Sequence, residues 1–352
     1  MPTLNSTGQI EKANSGATAE DFLRLLRRDG LVRHESATLT PLTDGVSSEI
    51  YRVEDGDDTF VVKRALPRLR VRDDWTADVR RNRYEQMYIE YVAQFLPQAV
   101  PRLLPGPRDR GYFAMELLGP EFTSWKKLLL GGDARVEQAL QAANLLGAIH
   151  ARSAGDAEVA ARFDTIANFM QLRIEPYLLT TGRRHSDLRD IFDAEAERLA
   201  STRICLVHGD FSPKNVMISP SRFVLLDCEV AWYGDPAFDL AFLLTHLLLK
   251  GLHNAPRQIG FDEMSHAFWR RYVEEVGNSI DTASLQTRVA RLLPMLLLAR
   301  VDGKSPVEYL TRPGQCDFVR RFARSALTAE PAALGDIVAR WFASLGEAEA
   351  TR

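Results

Sequence analysis

The pattern of apolar residues changes near residue 118, and that change restricts the folds open to this chain. Before it, short apolar runs between turn residues read as strands: Ser36–Leu42, Glu49–Val53, Thr59–Lys63 and Tyr112–Leu118. The Gly56-Asp57-Asp58 turn predicts an antiparallel hairpin between the second and third. Two helical stretches accompany them. One starts near Thr18, carries Phe22, Leu25 and Leu26 at helical spacing, and stops at Asp29-Gly30. The other, Trp75–Leu96, is free of Pro and Gly and is closed by Pro97 and Pro101. After Gly119-Pro120 the pattern is mostly helical. In Ala134–Ser153, for example, Val136, Leu140, Ala143, Leu146, Gly147 and His150 share about one face. Strands first and helices second predict an α+β fold with segregated lobes. The expected division is a flexible leader and N-terminal helix over 1–30, a small antiparallel-sheet lobe over 31–117, and a larger, mainly helical lobe over 118–352.

A length of 352 residues agrees with two lobes rather than one minimal core. The formal net charge is -3, with Lys and Arg spread along the chain, so nothing in the totals argues for a nucleic-acid footprint and no nucleic-acid partner is expected. No run of about 18 apolar residues exists to span a membrane. Cys205, Cys228 and Cys316 lie far apart without CxxC spacing, which argues against a disulfide framework or zinc site and for a reducing cytoplasm. Met1–Ala17 lacks an apolar signal core and reads as a leader without a targeting function.

One polar, turn-forming interruption in the second half carries the chemistry. The apolar run Ile204–Val207 leads into His208-Gly209-Asp210-Phe211-Ser212-Pro213-Lys214-Asn215. Val216–Ile218 and Phe223–Leu226 follow as strands, and the second ends at Asp227-Cys228-Glu229. Asp210 and Asn215 sit five residues apart in one loop, and Asp227 lies at a strand end twelve residues on. Two hairpin-related strand ends can bring the two carboxylates and the carboxamide together. Hard oxygen ligands of this kind suit magnesium, which keeps several waters and takes one or two carboxylates plus substrate phosphates. Asp210 is then left to orient and deprotonate a hydroxyl, the set of parts that phosphoryl transfer needs.

The ordered stretches HGDFSPKNVMI and VLLDCEVAWYGDPAFDLAFL resemble the signature of the aminoglycoside phosphotransferase and choline kinase-like superfamily. Its relatives include choline, fructosamine, homoserine and methylthioribose kinases. The resemblance runs from about residue 34 to 245. It implies a protein-kinase-like bilobal fold and an ATP-dependent small-molecule kinase that uses Mg2+. By it, Asp210 is the catalytic base, Asn215 and Asp227 are magnesium ligands, Glu229 helps through a metal-bound water, and His208 orients the loop. Asp235 and Asp239 in GDPAFDLA are structural, one in a turn and one tying the catalytic loop to a helix. Protein kinases usually carry Arg between the His and Asp and Lys two residues after the base. Here those positions are Gly209 and Ser212, and no long activation loop follows Asp227. These departures favour a small-molecule, hydroxyl-bearing acceptor over a protein.

The first half supplies the nucleotide side. In TFVVK, strand alternation puts Val61 and Lys63 on one face, so if Lys63 meets the α- and β-phosphates, Val61 lies over the adenine. The acid expected to hold Lys63 is Glu85 in RYEQMYIEYVAQFL, with Glu90 pointing elsewhere. The loop Thr43–Ser48 has one glycine, Gly45; it and the hydroxyls of Ser47 and Ser48 can approach phosphates. Met115, Glu116 and Leu118 resemble the hinge, where backbone groups read the adenine.

The acceptor is expected in the helical half. Polycationic aminoglycosides need acidic pockets, yet residues 251–330 carry nine acids against eleven Lys and Arg. Arg173–Tyr177 and Arg300–Lys304 are candidate substrate elements, whose cations would suit a carboxylate, a phosphate or many hydroxyls. His150, Trp232 and Trp269 read as packing residues. A methylthioribose-type sugar kinase and a non-catalytic nucleotide-binding pseudokinase are the alternatives. The joint presence of Lys63, Asp210, Asn215 and Asp227 argues against the second.

Overall fold

The computed structural model describes residues 19–42, 48–66, 78–106, 110–255, 260–330 and 332–350. The expected leader, Thr18, the loop residues Gly45 and Ser47, and the first three residues of the helix expected from Trp75 lie outside them. Four antiparallel strands form one sheet in the order β1 (Thr38–Pro41), β2 (Ser48–Asp55), β3 (Asp58–Ala65) and β4 (Tyr112–Glu116). β2 and β3 pair from Ser48↔Ala65 to Asp55↔Asp58, so the hairpin turn is the two residues Gly56 and Asp57, with Gly56 at φ 64°.

Strand alternation divides β3 between two cores. Phe60 and Val62 pack with Val53, Tyr112 and Ala114 against helix α1 (Ala19–Arg28), which inserts Phe22 and Leu26. Val61 faces the other way, with Phe113 and Met115, toward helix α2 (Arg81–Val92) and its Tyr88, Ile89 and Val92. α2 is shorter than the sequence pattern predicts. Beyond Val92 the chain turns through i→i−3 bonds, Gln94 N–H to Tyr91 O and Phe95 N–H to Val92 O. The residue before Pro97 is sterically disfavoured in the helical region, so the helix unwinds ahead of it.

After β4 the chain is mostly helical. β5 (Thr123–Ser124), β7 (Val216–Ile218) and β8 (Phe223–Leu225) make a small antiparallel sheet, and β6 (Cys205–Val207) pairs with β9 (Trp232–Gly234). β5 and β9 carry no signal in the sequence, since two or three residues are too few to show a period. The helix Ala237–Asn254 is buried from Ala237 to Leu252, as befits a helix that is apolar on all sides. The helices Val136–Ser153, Phe261–Val276 and Thr282–Asp302 belong to the same core. Among the described residues no helix is long and apolar enough to cross a membrane.

Met170–Leu179 is a π-helix with Pro176 inside it. Proline cannot donate to a helical ladder and its ring crowds the preceding turn, so a departure from regular α-helix at Pro176 is expected. Such segments are rare and gather at functional sites, and this one carries Arg173.

Candidate active site

The loop Val207–Asn215 is held from beneath. Asp239, fully buried in the first turn of the Ala237–Asn254 helix, accepts the backbone N–H groups of His208 (2.7 Å) and Gly209 (2.9 Å). His150 stands 3.4 Å from the same carboxylate and bonds the Tyr272 hydroxyl at 2.9 Å. It is a core residue, as expected, but one that braces the loop. Burial keeps the His208 imidazole below its ordinary pKa, so the ring is neutral and its Nδ1 accepts the Asp210 N–H at 3.2 Å. Trp232 is buried and stacks on Phe169, and Trp269 stacks on Tyr272, both as packing residues.

Gly209 is required by two features of this turn. Its φ is +76°, and an added Cβ would lie 2.6 Å from Val230 O. Gly209→Ala is therefore expected to cost about 2–4 kcal/mol and to lower the melting temperature by several degrees, as read in thermal unfolding.

Asp210 is 5% exposed. Its Oδ2 accepts Asn215 Nδ2 at 2.8 Å and lies 3.1 Å from Arg173 Nη2 and 3.2 Å from Lys214 Nζ. Among the described residues its Oδ1 carries no such contact, so one carboxylate oxygen is satisfied and the other is uncommitted. Burial alone would push this carboxyl up; the Arg173 guanidinium and the Lys214 ammonium outweigh burial and hold it below the ordinary aspartate value. Neither cation was singled out as a partner of Asp210 by the sequence. Arg173 comes from 37 residues upstream, and it also donates from Nε to Gly209 O at 2.5 Å. It thus reaches the loop position that has no arginine of its own.

The sign of this effect yields a test. Arg173→Met removes the stronger of the two stabilising charges, so Asp210 must protonate at higher pH. The acid limb of the kcat/KM profile should move upward, with the loss of rate greatest in mild acid. A variant that is slower by one factor at every pH would mean that Arg173 only packs.

The β7–β8 hairpin brings Asn215 and Asp227 to one end. Val216 pairs with Leu225, and the Leu226 N–H extends the ladder to Asn215 O at 2.8 Å. Asn215 donates its amide to both Asp210 Oδ2 and Asp210 O, which leaves its Oδ1 to offer elsewhere. Asp227 has φ 61°, the one non-glycine residue at positive φ among those described. Aspartate tolerates this region better than most, and such strain collects at functional sites.

Lys63, 2% exposed, spans the gap between sheet and hairpin. Its Nζ lies 2.7 Å from Glu85 Oε2 and 2.5 Å from Asp227 Oδ1. Glu90 instead meets Arg162 at 3.2 Å. Burial would lower the Lys63 pKa; the carboxylates of Asp227, Glu85 and Glu229 reverse that, so the lysine stays charged. Burial pushes Glu85 up to about 7, with Asp227 and Glu229 adding to the shift and Lys63 opposing it. The Asp227 carboxyl is held well below the usual range, because Lys63 and Lys214 overcome its burial. Glu229 is paired at 3.0 Å with fully buried Arg81 on α2, a second link between the two halves that the sequence reading missed.

Glu85, Asp227 and Glu229 can each offer a carboxylate oxygen, all within 4.8 Å of one another. This donor set, with the Asn215 carbonyl nearby on the same hairpin end, fits a hard divalent cation. Val61 and Met115 pair across β3 and β4 and are nearly buried. The Glu116 N–H donates to Arg102 O at 2.9 Å, and its carboxylate takes Arg222 and the Arg102 N–H, so its side chain is engaged away from Lys63. Leu118 is half-buried just beyond β4. Ser48 is buried with its hydroxyl unpartnered among the described residues. Arg300 donates to the Tyr177 hydroxyl at 3.0 Å, and Lys304 lies 3.7 Å from Glu175.

A model of the phosphotransferase enzyme family matches residues 38–274, which contain every site residue discussed above except Arg300 and Lys304. The chain belongs to this family. Methylthioribose kinase of Bacillus cereus (strain G9842) is 22% identical over 287 residues, covering 72% of each chain. An amicoumacin kinase solved with AMP-PNP, Ca2+ and Ami superimposes with a TM-score of 0.59 at 14% identity, over 90% of this chain and 96% of that one. An ethanolamine kinase of Plasmodium vivax gives 0.52 at 12% identity, over 96% and 95%. The protein is a phosphotransferase with the kinase-like bilobal α+β fold, within the aminoglycoside phosphotransferase and choline kinase-like superfamily.

Proposed function

We propose that the chain transfers the γ-phosphoryl group of ATP to a hydroxyl of a small molecule, with Asp210 as the base. The observation that carries this reading is the asymmetry of the Asp210 carboxylate. Oδ2 is fixed by Asn215, Arg173 and Lys214, while Oδ1 has no partner among the described residues and can accept an acceptor hydroxyl. Asn215 Oδ1 and Asp227 would hold magnesium, with Glu229 acting through a bound water and steadied by Arg81. Magnesium bound there would neutralise charge on the nucleotide phosphates. Lys63 would exchange Asp227 for phosphate oxygens and keep Glu85, which holds it in place. Val61, Met115 and the backbone at Glu116 and Leu118 would line the adenine side, and the Gly45, Ser47 and Ser48 loop would cover the phosphates. Nucleotide would thus lie between residues 31–117 and 118–352. Cys205 and Cys228 are free and buried, and Cys316 is free, which supports a cytoplasmic setting.

The test is a panel of hydroxyl-bearing metabolites and antibiotics incubated with the full chain, Mg2+ and γ-labelled ATP. Label should appear on an acceptor. Nucleotide binding without transfer to any acceptor would favour the pseudokinase. The curated relatives at 72% coverage favour a second reading, a methylthioribose-type sugar kinase. Turnover of methylthioribose with none of aminoglycosides would select it.

A further inference from the structure

The Ala237–Asn254 helix is buried almost throughout, yet three of its buried side chains are ionisable. Asp239 is accounted for by the loop it holds. His246 and Lys250 are not. Phe242, His246 and Lys250 follow at intervals of four, so they rise along one face, about 12 Å from first to last. The row starts near the arginine that contacts Asp210. The Arg173 guanidinium that contacts Asp210 lies 5.9 Å from the Phe242 ring centroid and 5.7 Å from that of Tyr177. The Phe242 ring meets His246 at 5.0 Å, and His246 Nδ1 lies 3.5 Å from Lys250 Nζ.

Lys250 is 1% exposed, and among the described residues no carboxylate lies within ion-pair distance. Its company is His246 and the face of Tyr309, 4.8 Å away. Arg300, 8% exposed, also has no carboxylate partner there. It bonds neutral oxygens through Nη1, the Tyr177 hydroxyl and Ser305, and its Nε is buried without a partner. The Tyr309 hydroxyl is likewise buried and unpartnered. A buried ammonium or guanidinium without a counter-ion is costly unless it loses its proton or gains an anion. Burial and the charges of Lys126 and Arg300 draw the Lys250 ammonium well below the ordinary lysine value, against Glu308. His246 is lowered by burial and then by Lys250, Arg300, Lys214 and Lys126, all of them cations. Lys214 closes the circle, since it touches Asp210.

We infer that the acceptor carries a carboxylate or phosphate as well as its reacting hydroxyl, and that Lys250 and Arg300 receive this anion while Asp210 receives the hydroxyl. The inference rests on the kinase reading above and narrows it to a substrate class. Polycationic aminoglycosides are disfavoured by the same charges.

The probes are D-gluconate for a carboxylate, glucose 6-phosphate for a phosphate, neutral sorbitol, and cationic kanamycin. Each is added to the full chain saturated with MgADP, at constant ionic strength, and followed by melting temperature and calorimetry. An anionic probe should stabilise the protein more than sorbitol or kanamycin, and the better of the two anions identifies the group. In Lys250→Met its affinity should fall about tenfold to a hundredfold, the loss of one charge-assisted contact, with MgADP affinity unchanged. Arg300→Gln should show the same loss. Without ligand, Lys250→Met should melt higher than the wild type, because an uncompensated buried amine is gone. Preference for kanamycin, no response to either anion, an anion response unaltered in Lys250→Met, or a lower melting temperature for that variant would each overturn the inference. Failure of MgADP to bind at all would instead remove the kinase reading beneath it.

Discussion

Asp227→Ala should lose more than about a hundredfold of its magnesium-dependent nucleotide affinity while keeping its fold. The reasons are position and charge. Asp227 stands at the end of β8 in a strained backbone conformation, beside the amide of Asn215, with its carboxyl held ionised by Lys63 and Lys214. Removing it takes away an oxygen donor and leaves Asn215 and Glu229 too few for a small octahedral cation. The fold should survive, since the Asp227 side chain is 26% exposed and Lys63 retains Glu85 at 2.7 Å. Calorimetric titration with ATP, with and without Mg2+, is the measurement. Asp227→Asn, which keeps the shape, separates loss of the ligand charge from loss of packing. Undiminished metal-dependent affinity in both variants would remove Asp227 from the metal site.

Asp210→Asn should lower turnover on the true acceptor by about a thousandfold, within the range of general base catalysis, and leave MgATP affinity nearly unchanged. The asparagine fills the same space but loses the charge that Arg173, Lys214 and Asn215 are arranged around. A loose transition state asks for little proton removal early, so much of the loss is expected from misorientation of the hydroxyl. Steady-state kcat, with calorimetry for the nucleotide, separates the two effects. Equal losses in nucleotide binding and turnover would mean that Asp210 holds the loop together and does nothing to the acceptor.

The parts of the site that were legible in the sequence are local in the chain. Asp210 and Asn215 share one loop, and Asp227 follows on the next hairpin strand, so short-range pairing alone brings them together. Lys63 and Glu85 were readable because strand alternation and helix spacing set which side chains face inward. The missed partners reach across the fold. Arg173 touches Asp210 from a π-helix, whose wider turn aims side chains differently from an α-helix, so a 3.6-residue period cannot place it. Arg81 was not singled out by the sequence, and only packing shows it buried against Glu229. Lys250 lies inside an apolar run in which one lysine breaks no pattern. The helix predicted to run to Leu96 ends at Val92, because the pattern does not reveal how far ahead of Pro97 the backbone leaves the helical region.

Phosphorus NMR of a single turnover, with the acceptor identified from the panel, tests the central claim most directly. The prediction is that the γ-phosphate signal of MgATP gives way to a phosphate monoester coupled to the carbon-bound protons of the acceptor. That signal should form far more slowly with Asp210→Asn at equal nucleotide occupancy. Release of inorganic phosphate alone, or a monoester formed at the same rate by Asp210→Asn, would contradict it.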